Sequence, residues 1–90
     1  MKPVSREIVI TNKRGLHARA SAKFVNLASM LDSNIEVEKD GSRVCGTSIM
    51  GLMMLGAAMG DTIIIHCNGD DCSDAIDQLA ALVTERFGED

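Results

Sequence analysis

Along this chain the spacing of apolar residues changes repeatedly between the two-residue step of a strand and the three- and four-residue steps of a helix. Strand patterns occur at residues 4–10, 34–39, 42–45 and 62–67, and helix patterns at 17–31, 49–55 and 72–87. The predicted order is therefore βαββαβα, in one domain that spans residues 1–90. A four-stranded, mainly antiparallel sheet with helices packed on one face is the economical arrangement, an α+β open-faced sandwich.

The segment around Asp40-Gly41 predicts a hairpin. Residues 34–39 alternate, with Ile35 and Val37 expected to face inward and glutamates outward. Asp-Gly is favoured in the two-residue type I′ turn, so residues 42–45 are expected to pair with 34–39.

Two longer segments carry the apolar stripe of an amphipathic helix. The stripe residues are Ala20, Phe24, Leu27, Ala28 and Leu31 in the first segment and Ile76, Leu79, Ala80, Val83 and Phe87 in the second. Gly88 is expected to end the second helix. The β-branched run at 62–67 does not alternate, which is typical of a strand inside a sheet.

Composition excludes several classes of protein. The formal net charge is −4 and Phe24 and Phe87 are the aromatic residues, which argues against a nucleic-acid module. No stretch approaches the roughly 20 apolar residues of a membrane span, and the first residues lack the apolar region of a secretory signal. The expected location is the cytoplasm and the expected state is a monomer, because no large apolar face is left over.

The three cysteines match no usual disulfide or zinc spacing, so they are expected to be reduced. His66 and Cys67 are neighbours in a strand and point to opposite faces, which argues against a shared metal ion. No metal and no cofactor are expected.

The segment Gly15-Leu16-His17-Ala18-Arg19 lies where a loop becomes a helix. The first N–H groups of a helix lack intrahelical partners, and with the helix dipole they form an anion site. Arg19 can direct its guanidinium at the same anion, and Lys13 and Arg14 add positive charge nearby. A phosphorylated His17 would suit this position. The alternative, a polar N-cap histidine beside a solvated arginine, remains open on these residues alone.

The segment 48–56 predicts a short helix with Ser48 as its N-cap. Leu52 and Leu55 are expected to face the core. Flexible methionines suit a surface that fits several partners, so a docking patch is predicted from Ala22, Ile49, Met50 and Met53. The alternative is that these apolar side chains all belong to the core.

Residues 15–19 resemble the active-site motif of HPr, the histidine phosphocarrier of the bacterial phosphotransferase system, and residues 48–56 resemble that family's regulatory-serine signature. The separation of the motifs, the element order and the length also fit. The family usually follows the arginine with proline, whereas this chain has Ala20, which is expected to loosen the first turn without removing a reactive group.

The resemblance implies a carrier that is substrate and donor rather than an enzyme. His17 would be phosphorylated on Nδ1 by Enzyme I, drawing ultimately on phosphoenolpyruvate, with Arg19 and the N–H of Ala18 supporting the phosphoryl group. An EIIA-type protein would be the acceptor, and HPr kinase/phosphorylase would act on Ser48.

Two questions stay open at the level of sequence. The sugar-transport branch and the nitrogen-related branch, often called NPr, both fit. A rival function is a regulatory binding module that uses the methionine-rich helix and carries no phosphate.

Overall fold

Between residues 3 and 89, four strands and three helices follow one another in the predicted order βαββαβα. The structure is a computed structural model and describes residues 3–89. The elements are β1 (Val4–Val9), α1 (Ala18–Ser29), β2 (Asn34–Lys39), β3 (Ser42–Cys45), α2 (Ile49–Met54), β4 (Thr62–Asn68) and α3 (Cys72–Thr84), followed by a 3₁₀ turn at Arg86–Gly88. The α+β prediction is confirmed.

The sheet has the strand order β1-β4-β2-β3 and every neighbouring pair is antiparallel. As predicted, β4 lies inside the sheet, with Ile63 opposite Ile8 of β1 and Ile65 opposite Val37 of β2. Burial alternates along β4 although its sequence does not: Ile63 and Ile65 are fully buried, and Ile64 is half-buried on the open face.

The hairpin between β2 and β3 turns at Asp40 and Gly41, as predicted. Both residues have positive φ, +50° and +85°, as the type I′ turn requires. Lys39 and Ser42 form the last pair before the turn.

The core lies between the inner face of the sheet and the three helices. Its largest fully buried side chains include Phe24 of α1, Leu52 of α2 and Ile76 and Leu79 of α3. Burying one aliphatic side chain of this size stabilises a fold by roughly 1.5–3 kcal/mol. The inward positions expected for Ile35 and Val37 and for the two helical stripes are confirmed, with Leu27 and Leu31 at the rim of the core.

The last helix is shorter than predicted. It ends at Thr84 instead of reaching Phe87, because Arg86 and Phe87 both have positive φ, +60° and +55°. Phe87 is nevertheless buried. A helical continuation would also have placed Phe87 on the apolar stripe, so the periodicity could not reveal that the chain reverses here.

The expectation of three reduced cysteines is wrong for two of them, because Cys67 and Cys72 form a disulfide. Cys67 lies near the end of β4 and Cys72 begins α3, and the tight turn through Gly69 (φ +136°) brings their Cα atoms to 5.5 Å. The spacing of Cys67 and Cys72 could not predict the disulfide, because the pairing depends on the geometry of the turn between them. Cys45 is free and exposed.

We expect reduction of this disulfide to lower the free energy of unfolding by about 2 kcal/mol, the chain-entropy contribution of a short closed loop. Urea unfolding with and without a reductant measures it. Cys45→Ser serves as the control and should keep the full response to reductant, whereas Cys72→Ala should have none. Equal unfolding midpoints for the wild-type chain in both buffers would contradict the prediction.

Candidate functional site

His17 occupies the N-cap position of α1, with extended backbone angles of φ −75° and ψ −179°. The N–H of Ser21 donates to the carbonyl of His17 at 2.9 Å and starts the helical hydrogen-bond ladder. The N–H groups of Ala18, Arg19 and Ala20 precede that bond and form the first turn, so they are the donors that a helix N-terminus offers to an anion. The predicted placement of His17 and Arg19 at a helix start is confirmed.

The loop before His17 is fixed from two sides. Leu16 is buried, and its N–H donates to the carbonyl of Ala57 at 2.9 Å. Asn12 is completely buried and donates from Nδ2 to the carbonyl of Gly15 at 2.9 Å. Gly15 has a φ of +64°, and a Cβ there would overlap the carbonyl oxygen of Ala57. The backbone that carries His17 is therefore rigid.

The imidazole of His17 is held by a residue from the other end of the chain. Its Nε2 lies 2.7 Å from Oε2 of Glu89, and its side chain is 23% exposed. Burial acts to raise the pKa of Glu89. The hydrogen bonds from Asn12 and His17, with the charges of His17 and Lys23, outweigh that effect, so the pKa of this carboxyl lies below its ordinary value.

Beside this pair lies a cleft of about 460 Å³, the basic cleft, lined by Lys13, Arg14, Arg19, Lys23, Gly88 and Glu89. Four of these six residues are cationic at neutral pH, and Arg19 forms no salt bridge with any residue between 3 and 89. Two guanidinium and two ammonium groups around an open cleft suit a multiply charged anion. The cleft gives this acidic protein a local positive surface, as the charge distribution predicts.

The short helix α2 matches its prediction closely. Oγ of Ser48 accepts the N–H of Gly51 at 2.9 Å, which confirms Ser48 as the N-cap. Leu52 and Leu55 are buried, as expected. The alternative in which all of α2 is core is wrong, because the outward side chains are exposed: Ile49 by 40%, Met50 by 68% and Met53 by 40%.

Ala22, the fourth residue predicted in the docking patch, is half-buried on α1, the helix that packs against α2. Met54 and Met59, which the sequence did not single out, are exposed as well. Because Met54 is part of α2, the apolar surface of that helix is larger than the predicted patch.

Residues 4–85 match the protein family described as "PTS-HPr: PTS HPr component phosphorylation site". This chain belongs to the HPr family. The phosphocarrier protein HPr of Cupriavidus necator is 45% identical over 86 residues, which cover 96% of this chain and 97% of that protein. The phosphocarrier protein NPr of Shewanella violacea is 39% identical over 89 residues, which cover 99% of this chain and 98% of that protein.

The fold is that of solved HPr structures. The crystal structure of HPr-C-His from Thermoanaerobacter tengcongensis superimposes with a TM-score of 0.89 at 47% identity, covering 100% of this chain and 99% of that one. Members of the HPr family are phosphocarriers and not catalysts, and they interact with components of the phosphotransferase system. The resemblance seen in the two motifs is therefore confirmed as family membership.

Between residues 3 and 89, no helix has the length and apolar character to cross a membrane. The same part of the chain contains no group of three or more His, Cys, Asp and Glu side chains that could hold a metal ion.

Sequence reasoning missed Asn12, Lys23 and Glu89. Lys23 is one helical turn beyond Arg19 and could have been found from the helix periodicity. Glu89 carried no such signal, because its approach to His17 depends on the reversal at Arg86 and Phe87.

Proposed function

We propose that this chain is a cytoplasmic phosphoryl carrier, a single HPr domain over residues 1–90 that accepts a phosphoryl group on His17 from phospho-Enzyme I, which draws on phosphoenolpyruvate. An EIIA-type protein then takes the group. The observation that carries the proposal is the position of His17, at the N-terminus of α1 and beside the basic cleft. Family membership supports it.

The site suits a displacement at phosphorus. Nδ1 of His17 attacks with its lone pair, an N–P bond forms, and the bond from phosphorus to its donor atom on Enzyme I breaks, with that donor taking the electron pair. The N–H groups of Ala18 and Arg19 and the Arg19 guanidinium would stabilise the oxygens of the transferred group. Because the basic cleft is open, the same group can leave by the reverse reaction on the acceptor.

Incubation of the purified chain with Enzyme I and phosphoenolpyruvate tests this function, with intact mass as the readout. We expect one added phosphoryl group that is lost in acid and retained in base, as a phosphohistidine would be. An absence of any adduct with Enzyme I from the same organism would overturn the proposal and favour the binding module. Transfer onward to a sugar-specific or a nitrogen-related EIIA protein would assign the branch.

We further propose that the docking patch of Ala22, Ile49, Met50 and Met53 contacts Enzyme I and the acceptor. Exposed, flexible methionines form an adaptable apolar surface, and truncating the central residues of such a surface costs binding energy. We expect Met50→Asp to weaken binding to Enzyme I at least about tenfold. Isothermal titration calorimetry measures the affinity.

Met30→Asp is the matched control, since Met30 is 80% exposed and lies at the far end of α1 from His17. Both variants should unfold at the wild-type urea concentration, because both side chains are exposed. Equal losses of affinity in the two variants would show that charge alone, and not the patch, is responsible.

Ser48 is the proposed regulatory site, acted on by HPr kinase/phosphorylase. Its hydroxyl is half-buried at the start of α2, next to the docking patch, where a phosphate would add charge to an apolar contact surface. With the kinase and ATP we expect one acid-stable phosphoryl group, absent from Ser48→Ala and kept in the control Thr47→Ala. Mass spectrometry of peptides distinguishes the two positions, and a phosphate on Thr47 would contradict the assignment.

A further inference from the structure

The end of the chain forms a strap that returns to the start of α1. After α3, Arg86 and Phe87 reverse the backbone, and Phe87 is 1% exposed. Nζ of Lys23 donates to the carbonyl of Phe87 at 2.6 Å. A buried aromatic ring and a hydrogen bond from α1 therefore fix the strap two residues before Glu89.

Both carboxylate oxygens of Glu89 have partners at the site. Oε1 accepts from Nδ2 of Asn12 at 3.1 Å, and Oε2 lies 2.7 Å from Nε2 of His17. The Asn12 amide is completely buried and also donates to the carbonyl of Gly15. Because both partners of that amide nitrogen are acceptors, its orientation is determined, and it in turn holds the carboxylate against the ring.

A carboxylate can only accept a hydrogen bond, so Nε2 of a neutral His17 must carry the proton. The other ring nitrogen, Nδ1, then holds the lone pair. Nδ1 makes no hydrogen bond to any residue between 3 and 89, and is available to a reactant.

We propose that Glu89 is a positioning residue for phosphoryl transfer, which fixes the Nε2–H tautomer of His17 and presents Nδ1 to the incoming phosphorus. This inference rests on the proposed function. When Nδ1 becomes phosphorylated the ring gains positive charge, and the same carboxylate stabilises it through the Nε2–H donor. Glu89 thus favours both the reactive and the loaded form.

The contact needs an ionised carboxyl. The hydrogen bonds at the site hold the pKa of Glu89 below its ordinary value in spite of burial. A lowered folded-state pKa means that the contact is fully present above the ordinary glutamate pKa and is lost as the pH falls through the lowered value. The contact is therefore in place throughout the neutral range.

The tautomer can be measured without any phosphoryl transfer. In ¹⁵N-labelled full-length chain, long-range proton–nitrogen spectra of the neutral imidazoles distinguish Nε2–H from Nδ1–H. We expect the Nε2–H form to dominate at His17 in the wild type and to fall by at least about threefold relative to Nδ1–H in Glu89→Ala. His66, whose Nε2 lies 2.7 Å from Glu38, is an internal reference that should not change.

The rate of phosphoryl acceptance from Enzyme I is the second readout. We expect Glu89→Ala to lower kcat about tenfold, the usual effect of losing one charged hydrogen bond, with little change in KM. Glu89→Gln should restore part of the tautomer preference, since its amide oxygen can accept from Nε2. Glu85→Ala, an exposed glutamate just after α3, is the matched control and should behave as wild type.

An unchanged tautomer ratio in Glu89→Ala would overturn the inference. So would a changed ratio with an unchanged transfer rate, because the tautomer would then not matter for transfer. A wild-type chain that accepts no phosphoryl group at all would overturn the proposed function instead, and the NMR result would still report whether Glu89 sets the tautomer.

Discussion

Substitution of His17 by alanine is expected to abolish the acid-labile phosphoryl adduct, with a loss of at least about 10³-fold in the rate of acceptance. The methyl group of alanine offers no nucleophile, and the donors of the first α1 turn cannot replace one. The fold should persist, because the His17 side chain is only partly buried and, within residues 3–89, its ring hydrogen-bonds to Glu89 alone. Intact mass after incubation with Enzyme I and phosphoenolpyruvate measures the effect.

The second histidine provides the control. His66 lies on the open face of the sheet, between Ser5 and Glu38, and is a strand residue remote from α1. His66→Ala should therefore accept phosphate at the wild-type rate. If calorimetry shows that His17→Ala keeps its affinity for Enzyme I, His17 is needed for phosphoryl transfer and not for binding. An acid-labile adduct on His17→Ala would identify a different acceptor and refute the role of His17.

The substitution Gly15→Ala is expected to destabilise the protein by about 4 kcal/mol, since a left-handed residue costs roughly 1–3 kcal/mol and overpacking adds a similar amount. A Cβ at Gly15 would overlap the carbonyl oxygen of Ala57 and lie 2.8 Å from Cα of Ala58. These are backbone atoms that cannot move aside as a flexible side chain would. Relief of the overlap would break the Leu16–Ala57 hydrogen bond and shift His17. Urea unfolding measures the stability.

Substitution of Gly56 by alanine separates the cost of the left-handed backbone from the cost of the Cβ overlap. It has the same φ of +64°, but a Cβ there meets nothing within 4 Å. Gly56→Ala should therefore cost only the conformational term, about 1 kcal/mol. The difference between the variants measures the overlap at Ala57, and equal losses of stability would show that the overlap has no energetic consequence.

Local signals were enough to predict most of the fold. The turn at Asp40-Gly41 and the N-cap at Ser48 could both be predicted, because each depends only on residues that are close together in the sequence. The strand–helix order follows from hydrophobic spacing for the same reason. The end of α3 was predicted wrongly, because Phe87 would be buried both by a continued helix and by the reversal that the structure shows.

The site divides in the same way. Five consecutive residues could single out His17 and Arg19 as a candidate anion site, and the resemblance to a family motif gave them their roles, whereas Glu89 lies 72 residues from His17 along the chain. The Cys67–Cys72 disulfide likewise depends on a turn whose angles the spacing did not reveal. Side chains that meet through backbone reversals leave no periodic trace in a single sequence.

The strap at the end of the chain also bears on how this protein is handled in the laboratory. Any affinity tag, fluorophore or fusion partner joined after residue 90 begins two residues from the carboxylate that holds His17. Such an addition would sit beside the His17 ring, and slow phosphoryl acceptance by a tagged preparation would then reflect the tag rather than the proposed phosphoryl donor. Labels on the exposed thiol of Cys45 or at the first residues of the chain leave that end unaltered.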